Sequence, residues 1–342
     1  MANSKKVKVI PRGGISFVTF GHLHQAALAA KKRLKERGID NIIDVQELDV
    51  RHFPCGEVKP QIRENVRGKD VFLFFGFSTN NFNDELITLI IAMNALDKAD
   101  CERITLVLPF FPYTRQDRKD DSRTPLSASV IIRMLELSST FDRIVTIDMH
   151  SAQLELVFSS RVKFDHLPGS VLMAPAIKKH LKGDCDDLVV VAPDNGSAKR
   201  ARKLANSIAT EVPTAIFDKE RTEDGVQHGA IIGADIKGKV CLLNDDMIDT
   251  GGTIVEAAKI LKNEGAKEVI ISCTHAILSP KDGMTAYEKL ASADVSVLIT
   301  DSLPTEKREW LTVLPLGKLM GDVIFQNITS NGSVSKIIKG ES

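Results

Sequence analysis

Leu242-Leu243-Asn244-Asp245-Asp246-Met247-Ile248-Asp249-Thr250-Gly251-Gly252-Thr253 is the stretch that decides how this chain folds. An apolar strand over 239–243 runs into two adjacent carboxylates. A Thr-Gly-Gly-Thr turn follows, and Ile254, Ala257, Ala258 and Leu261 then recur at the spacing of a helix face. The glycines permit a tight turn and a close approach of backbone to ligand. The turn amides and the helix N-terminus together make an anion site suited to a phosphate. Asp245 and Asp246 stand at the carboxyl edge of a strand, where open α/β sheets hold ligands, placed to accept hydrogen bonds from two vicinal hydroxyls, as on a ribose. For a lone Gly-Gly, a strand-turn-helix with a solvated acidic turn is the favoured reading. Three carboxylates beside four Gly and Thr residues favour a sugar phosphate.

Outward from this stretch, apolar runs predict further strands at 71–77, 104–111, 144–147, 188–192, 269–273 and 295–300. Continuous apolar strands imply sheets covered on both faces. Helices are predicted between them at 84–99, 126–137, 171–181, 197–209 and 252–263, the first from the spacing of Leu86, Leu89, Ile90 and Met93. The alternation predicts an α/β fold with mostly parallel sheets. The 342 residues exceed one comfortable core, and the two halves look alike in outline. Two similar domains are therefore expected, 1–160 and 161–342, the last segment packing back on the first.

Lys+Arg and Asp+Glu number 45 each, so the charge balance favours neither nucleic acid nor a membrane surface as partner. The five cysteines form no C-x-x-C pair, which argues against a zinc or redox site and fits a reducing cytoplasm. No apolar run reaches the ~20 residues needed to span a bilayer. No Walker A sequence is present.

Other strand ends carry polar constellations. Arg115-Gln116-Asp117-Arg118 follows a strand, and its arginines suit phosphates, although a solvated loop has the same composition. His150 closes Asp148-Met149-His150. Pro193-Asp194-Asn195-Gly196-Ser197 offers Asp194 to a hydrated Mg²⁺, which takes one or two carboxylates plus substrate phosphates, or else forms a capped turn. Lys219 and Arg221 have period-2 spacing and suit charge developing on a transferring phosphoryl group, unless they are merely exposed cations.

These blocks, in this order, resemble the ribose-phosphate pyrophosphokinases, the synthetases of phosphoribosyl pyrophosphate (PRPP), over nearly the whole chain. The matching pieces are Phe53-x-x-Gly56-Glu57, 64–68, Arg115 to Arg118, Asp148-x-His150-x-x-Gln153, Pro193-Asp194-x-Gly196, Asp218-Lys219-x-Arg221 and Asp245 to Thr253. The resemblance implies two type I phosphoribosyltransferase-like domains and transfer of the β,γ-diphosphoryl group of Mg²⁺–ATP to ribose 5-phosphate. Phe53, Glu57, Arg115, Gln116, Asp117 and His150 would hold ATP, and His150 and Asp194 would line the Mg²⁺ site. Lys219 and Arg221 would act from a mobile catalytic loop. Asp194, Asp245, Asp246, Asp249, Thr250, Gly251, Gly252 and Thr253 would hold ribose 5-phosphate. A dimer-based homo-oligomer, up to a hexamer of dimers, is implied too. Cys55 stands where the family usually has Asp or Asn, and Glu155-Leu156-Val157-Phe158 replaces a common Gly-Phe-Phe, both departures from the family pattern. A PRPP-consuming phosphoribosyltransferase and a non-catalytic synthetase subunit are the competing readings.

Overall fold

The structure, a computed structural model, describes residues 13–119, 121–222, 225–281 and 283–340, with the side chains of 42, 43 and 219–229 left aside. The chain folds as two units, 1–167 with 315–342, and 168–314.

The first unit opens with β1 (Ile15–Phe20), α1 (His24–Glu36) and β2 (Ile42–Glu47), followed by a two-stranded hairpin of β3 (Asp49–His52) and β4 (Val58–Gln61). Next come β5 (Asp70–Phe75), α2 (Phe82–Lys98), β6 (Arg103–Val107), α3 (Ser127–Ser138), β7 (Arg143–Ile147) and β8 (Lys163–Leu167). Six of these strands form a parallel sheet in the order β2-β1-β5-β6-β7-β8. Its central strand, β5, is buried at every position, as an apolar run covered on both faces requires. The expected strand over 104–111 stops at Val107, since Pro109 and Pro112 have no N–H to give a ladder. The boundary expected at 160 moves to 167, because β8 pairs with β7 from Arg143↔Lys163 to Ile147↔Leu167.

The second unit holds α4 (Ser170–His180), β9 (Leu188–Ala192), α5 (Ala198–Ile208), β10 (Thr214–Thr222), β11 (Gly225–Gly233), β12 (Val240–Ile248), α6 (Gly252–Asn263), β13 (Glu268–Ala276), α7 (Ala286–Ser292), β14 (Ser296–Thr300) and β15 (Leu311–Leu314). Its sheet runs β11-β10-β9-β12-β13-β14-β15, parallel except for the β10–β11 hairpin. Strand alternation builds a core on each face. Val189, Val191, Cys241 and Leu243 pack with Ile254, Ala257, Ala258 and Leu261 of α6 on one side. Leu188, Val190 and Leu242 pack with Met173 and Ile177 of α4 and Leu204 of α5 on the other.

The chain then returns to the first unit through α8 (Gly317–Ile328) and α9 (Val334–Ile338). Helix α8 lies close against α1, and a Cβ at Gly321 would stand 2.9 Å from the Ala30 carbonyl oxygen. The contact is fixed by Asp322 Oδ1, which meets Arg33 Nε at 2.8 Å and Arg37 Nη2 at 2.7 Å. The Arg37 guanidinium also lies over the Phe325 ring. Among the described residues, no helix is long and apolar enough to cross a membrane.

Candidate functional site

The acidic pair lies inside β12, not after it. Pairing with β9 ends at Leu243↔Val191, while pairing with β13 continues through Asp245↔Cys273 and Met247↔His275 to Ile248↔Ala276. The carboxyl end of β12 thus projects past one neighbour, and its β9 side is open to the helix that follows β9. From that helix, α5, Arg200 places Nη1 3.2 Å from Oδ1 of Asp245 and 3.2 Å from Oδ1 of Asp246. Asp245 Oδ1 also accepts the Asp246 amide at 2.9 Å. Asp246 is nearly enclosed at 3% side-chain exposure, while Asp245 keeps 27%. Burial first, and the Asp246 carboxylate second, push the Asp245 carboxyl up to about 8, against the pull of Arg200.

Beyond the pair, Asp249 and Thr250 are half-buried and lead to Gly251, whose φ of 74° is left-handed backbone suited to glycine. Helix α6 starts at Gly252 with no side chain capping it. A Cβ at Gly252 would meet nothing within 4 Å. A turn of this shape, leading into an uncapped helix N-terminus beside open space, suits an anion.

Asp194 follows β9, the neighbour of β12. Its Oδ1 accepts from the Ser197 amide at 2.9 Å and the Ser197 hydroxyl at 3.0 Å, so one carboxylate oxygen is held inside its own turn. Among the described residues no group of three or more His, Cys, Asp or Glu gathers as a metal cage. A hydrated Mg²⁺ shared with substrate phosphates needs no such cage, and one hard carboxylate at a strand end fits it. The imidazole of His150 fits a water or phosphate contact better than direct ligation of Mg²⁺.

Lys219 and Arg221 lie in β10, opposite His228 and Val226 of β11, so the backbone here is an antiparallel hairpin where a loop was expected. Their side chains fall outside the described ones.

In the first unit, His150 is exposed just past β7, after Asp148 with a left-handed φ of 39°. Such backbone in a non-glycine residue is strained and collects at functional sites. Here it is held by Asp148 N donating to Leu167 O at 2.9 Å and Met149 N donating to His166 Nε2 at 3.0 Å. Arg115 and Gln116 are exposed in the loop after β6, and Asp117 is half-buried. Gln116 Oε1 accepts the Ser127 hydroxyl at 2.6 Å, tying this loop to the start of α3. Phe53 and Glu57 close the β3–β4 hairpin, Phe53 N donating to Glu57 O at 2.9 Å. Phe53 is half-buried under Arg51, whose guanidinium carbon is 4.8 Å from the ring centroid. Cys55 is exposed at the tip.

The Asp245–Thr253 group and the strand end of Asp194 thus lie on neighbouring strands of the second unit, while Phe53, Glu57, Arg115 to Asp117 and His150 belong to the first, at the ends of separate elements. Two residues escaped the sequence reading, Arg200 and His166. Arg200 had a signal: a cation in the first turn of a helix opposes the helix dipole and calls for a nearby anion.

Residues 26–138 match the N-terminal domain of ribose phosphate pyrophosphokinase, and residues 171–305 match the phosphoribosyl transferase domain. The chain is 38% identical over 312 residues to ribose-phosphate pyrophosphokinase 1 of Streptococcus pneumoniae, covering 90% of this chain and 94% of that one. It is 37% identical over 314 residues to the Lactococcus lactis protein of the same name, with the same coverage. The crystal structure of phosphoribosylpyrophosphate synthetase from Mycobacterium smegmatis superposes with a TM-score of 0.80 at 34% identity, covering 92% of this chain and 99% of that one.

Proposed function

The chain belongs to the ribose-phosphate pyrophosphokinase family, and we propose that it transfers the β,γ-diphosphoryl group of Mg²⁺–ATP to the 1-hydroxyl of ribose 5-phosphate, giving PRPP and AMP. The observation that carries this reading is the end of β12: two carboxylates, then a left-handed glycine and an uncapped helix start.

The 5-phosphate binds the amides of 250–253, and Asp245 and Asp246 accept the ribose hydroxyls. That grip fixes the anomeric hydroxyl for in-line attack on the β-phosphorus. The new bond joins O1 to Pβ, the bond from Pβ to the α,β-bridging oxygen breaks, AMP departs with that oxygen, and the hydroxyl proton is released. Phosphoryl transfer of this kind depends mainly on positioning and charge stabilisation. Lys219 and Arg221 supply cations to the transferring group. Phe53, Glu57, Arg115, Gln116, Asp117 and His150 bind the nucleotide. Asp194 would hold Mg²⁺ through its carboxylate, and the ion would supply charge neutralisation on the phosphates. We also propose self-association, which the family resemblance implies, and a cytoplasmic setting, which the free cysteines support.

The test is one assay: purified chain, Mg²⁺, ATP and ribose 5-phosphate, with AMP and PRPP measured together. Equal formation of both is expected. PRPP consumption with a nucleobase, or no turnover at all, overturns the reading in favour of a phosphoribosyltransferase or a non-catalytic subunit.

A further inference from the structure

We infer that Arg200 is a positioning residue for the ribose site, a resident cation that bridges Asp245 and Asp246 and aims both carboxylates to one side of β12. The inference rests on the reading of that pair as the holder of the ribose hydroxyls.

Consecutive residues on a strand point to opposite faces. Asp245 and Asp246 are consecutive and both lie within β12, yet a single nitrogen, Arg200 Nη1, is 3.2 Å from an oxygen of each. Ionising both acids in a site where one is almost enclosed is costly, because water screens their repulsion poorly there. A cation equidistant from both offsets that repulsion and sets their separation. Arg200 reaches the pair from the first turn of α5, on the side that β9 leaves uncovered beyond Leu243. Its place in the helix works against the helix dipole, so the carboxylates, not the helix, account for it. Only 23% of its side chain is exposed, so it is seated in the site. A sugar arriving on such a pair finds two acceptors already separated and oriented, and binding does not have to overcome their repulsion.

The opposite role is equally definite: an arginine plug that the sugar must expel. The two roles predict opposite signs. For the positioning role, Arg200→Gln in the full chain raises the Kd for ribose 5-phosphate, measured by calorimetry, by about tenfold or more, the scale of losing a charged hydrogen-bond partner. It raises KM for ribose 5-phosphate in step and leaves kcat at saturation within about threefold. Arg200→Lys keeps a positive charge at the pair, so it weakens binding less than Arg200→Gln does. In the double variant with Asp246→Asn, the repulsion that Arg200 offsets is gone, so removing the arginine costs less than in the parent. Tighter or unchanged binding in Arg200→Gln overturns the inference, as does a loss in Arg200→Lys as large as in Arg200→Gln. Should Arg200→Gln not fold, Arg200→Lys and the double variant decide. Should Asp245→Asn and Asp246→Asn leave the Kd unchanged, the ribose reading falls and the inference with it; weakening in those variants without weakening in Arg200→Gln removes the inference alone.

Discussion

His166 Nε2 accepts the backbone N–H of Met149 at 3.0 Å, so the last ring of β8 holds the end of β7 where His150 emerges. An accepting Nε2 leaves the ring proton on Nδ1. Replacement by a residue of similar shape without an acceptor, His166→Phe, strands a buried amide beside the left-handed Asp148. A buried donor left unpaired costs about 1–3 kcal/mol. The expected result is a loss of about tenfold in kcat/KM for ATP, with the Kd for ribose 5-phosphate unchanged. Equal kcat/KM for ATP in the two proteins would show that His150 needs no such support.

Asp245 gives the protein a pH signature. Its folded value, about 8, lies above the ordinary carboxylate range, first through burial and then through Asp246. A carboxyl with a raised folded value binds its proton more tightly when folded. The stability it contributes is full below the unfolded value, near pH 4, and is lost as pH rises through about 8. Thermal unfolding of the parent is expected at lower temperature at pH 8.5 than at pH 6, and Asp245→Asn should shrink that difference. Identical pH dependence in parent and variant would contradict the assignment.

Gly252 separates a structural glycine from a ligand-facing one. A Cβ there meets no protein atom within 4 Å. Gly252→Ala should leave stability within about 0.5 kcal/mol and still raise KM for ribose 5-phosphate by about tenfold, because the methyl occupies space assigned to the phosphate. An unaltered KM would place the phosphate elsewhere.

Lys219→Ala is expected to lower kcat by ~10²-fold, the scale of losing one transition-state donor, with the Kd values for both substrates kept. A kcat within a factor of two would remove Lys219 from the catalytic group.

Asp322→Ala leaves Arg33 and Arg37 without the carboxylate that ties α8 to α1. Removing one partner of a buried pair costs ~3–5 kcal/mol; both arginines keep some contact with water, so about 2 kcal/mol is expected from denaturant unfolding of the first unit. No measurable loss would mean that apolar packing alone seats α8.

Much of the fold was legible from the sequence because its strands are continuous apolar runs and its helices have clean periodicity. Strand β9 over Leu188–Ala192 and helix α6 over Gly252–Asn263 fall where the pattern puts them. The edges were harder to read. The β3–β4 hairpin carries charged and half-buried residues with no apolar run to announce it, and β8 is mostly polar, with only Phe164 and Leu167 apolar. The expected end of β12 at Leu243 was wrong because apolarity and strand pairing part company there: the ladder to β13 continues under two acids that no hydrophobic pattern would include. The hairpin over 214–233 has a polar middle, so no hydrophobic pattern announces its second strand.

What the sequence determined by itself was local and periodic: which segments become strands or helices, that the sheets are parallel and covered, and that a glycine turn after twin acids suits a sugar phosphate. These follow from residue type and spacing along one stretch of chain. Only the tertiary structure decided that Arg200, 45 positions before Asp245, sits between the acids, that His166 supports the end of another strand, and that residues 315–342 belong with the first unit. Such relations depend on which elements lie side by side, and that is set by burial summed over the whole molecule, a quantity no single stretch of sequence contains.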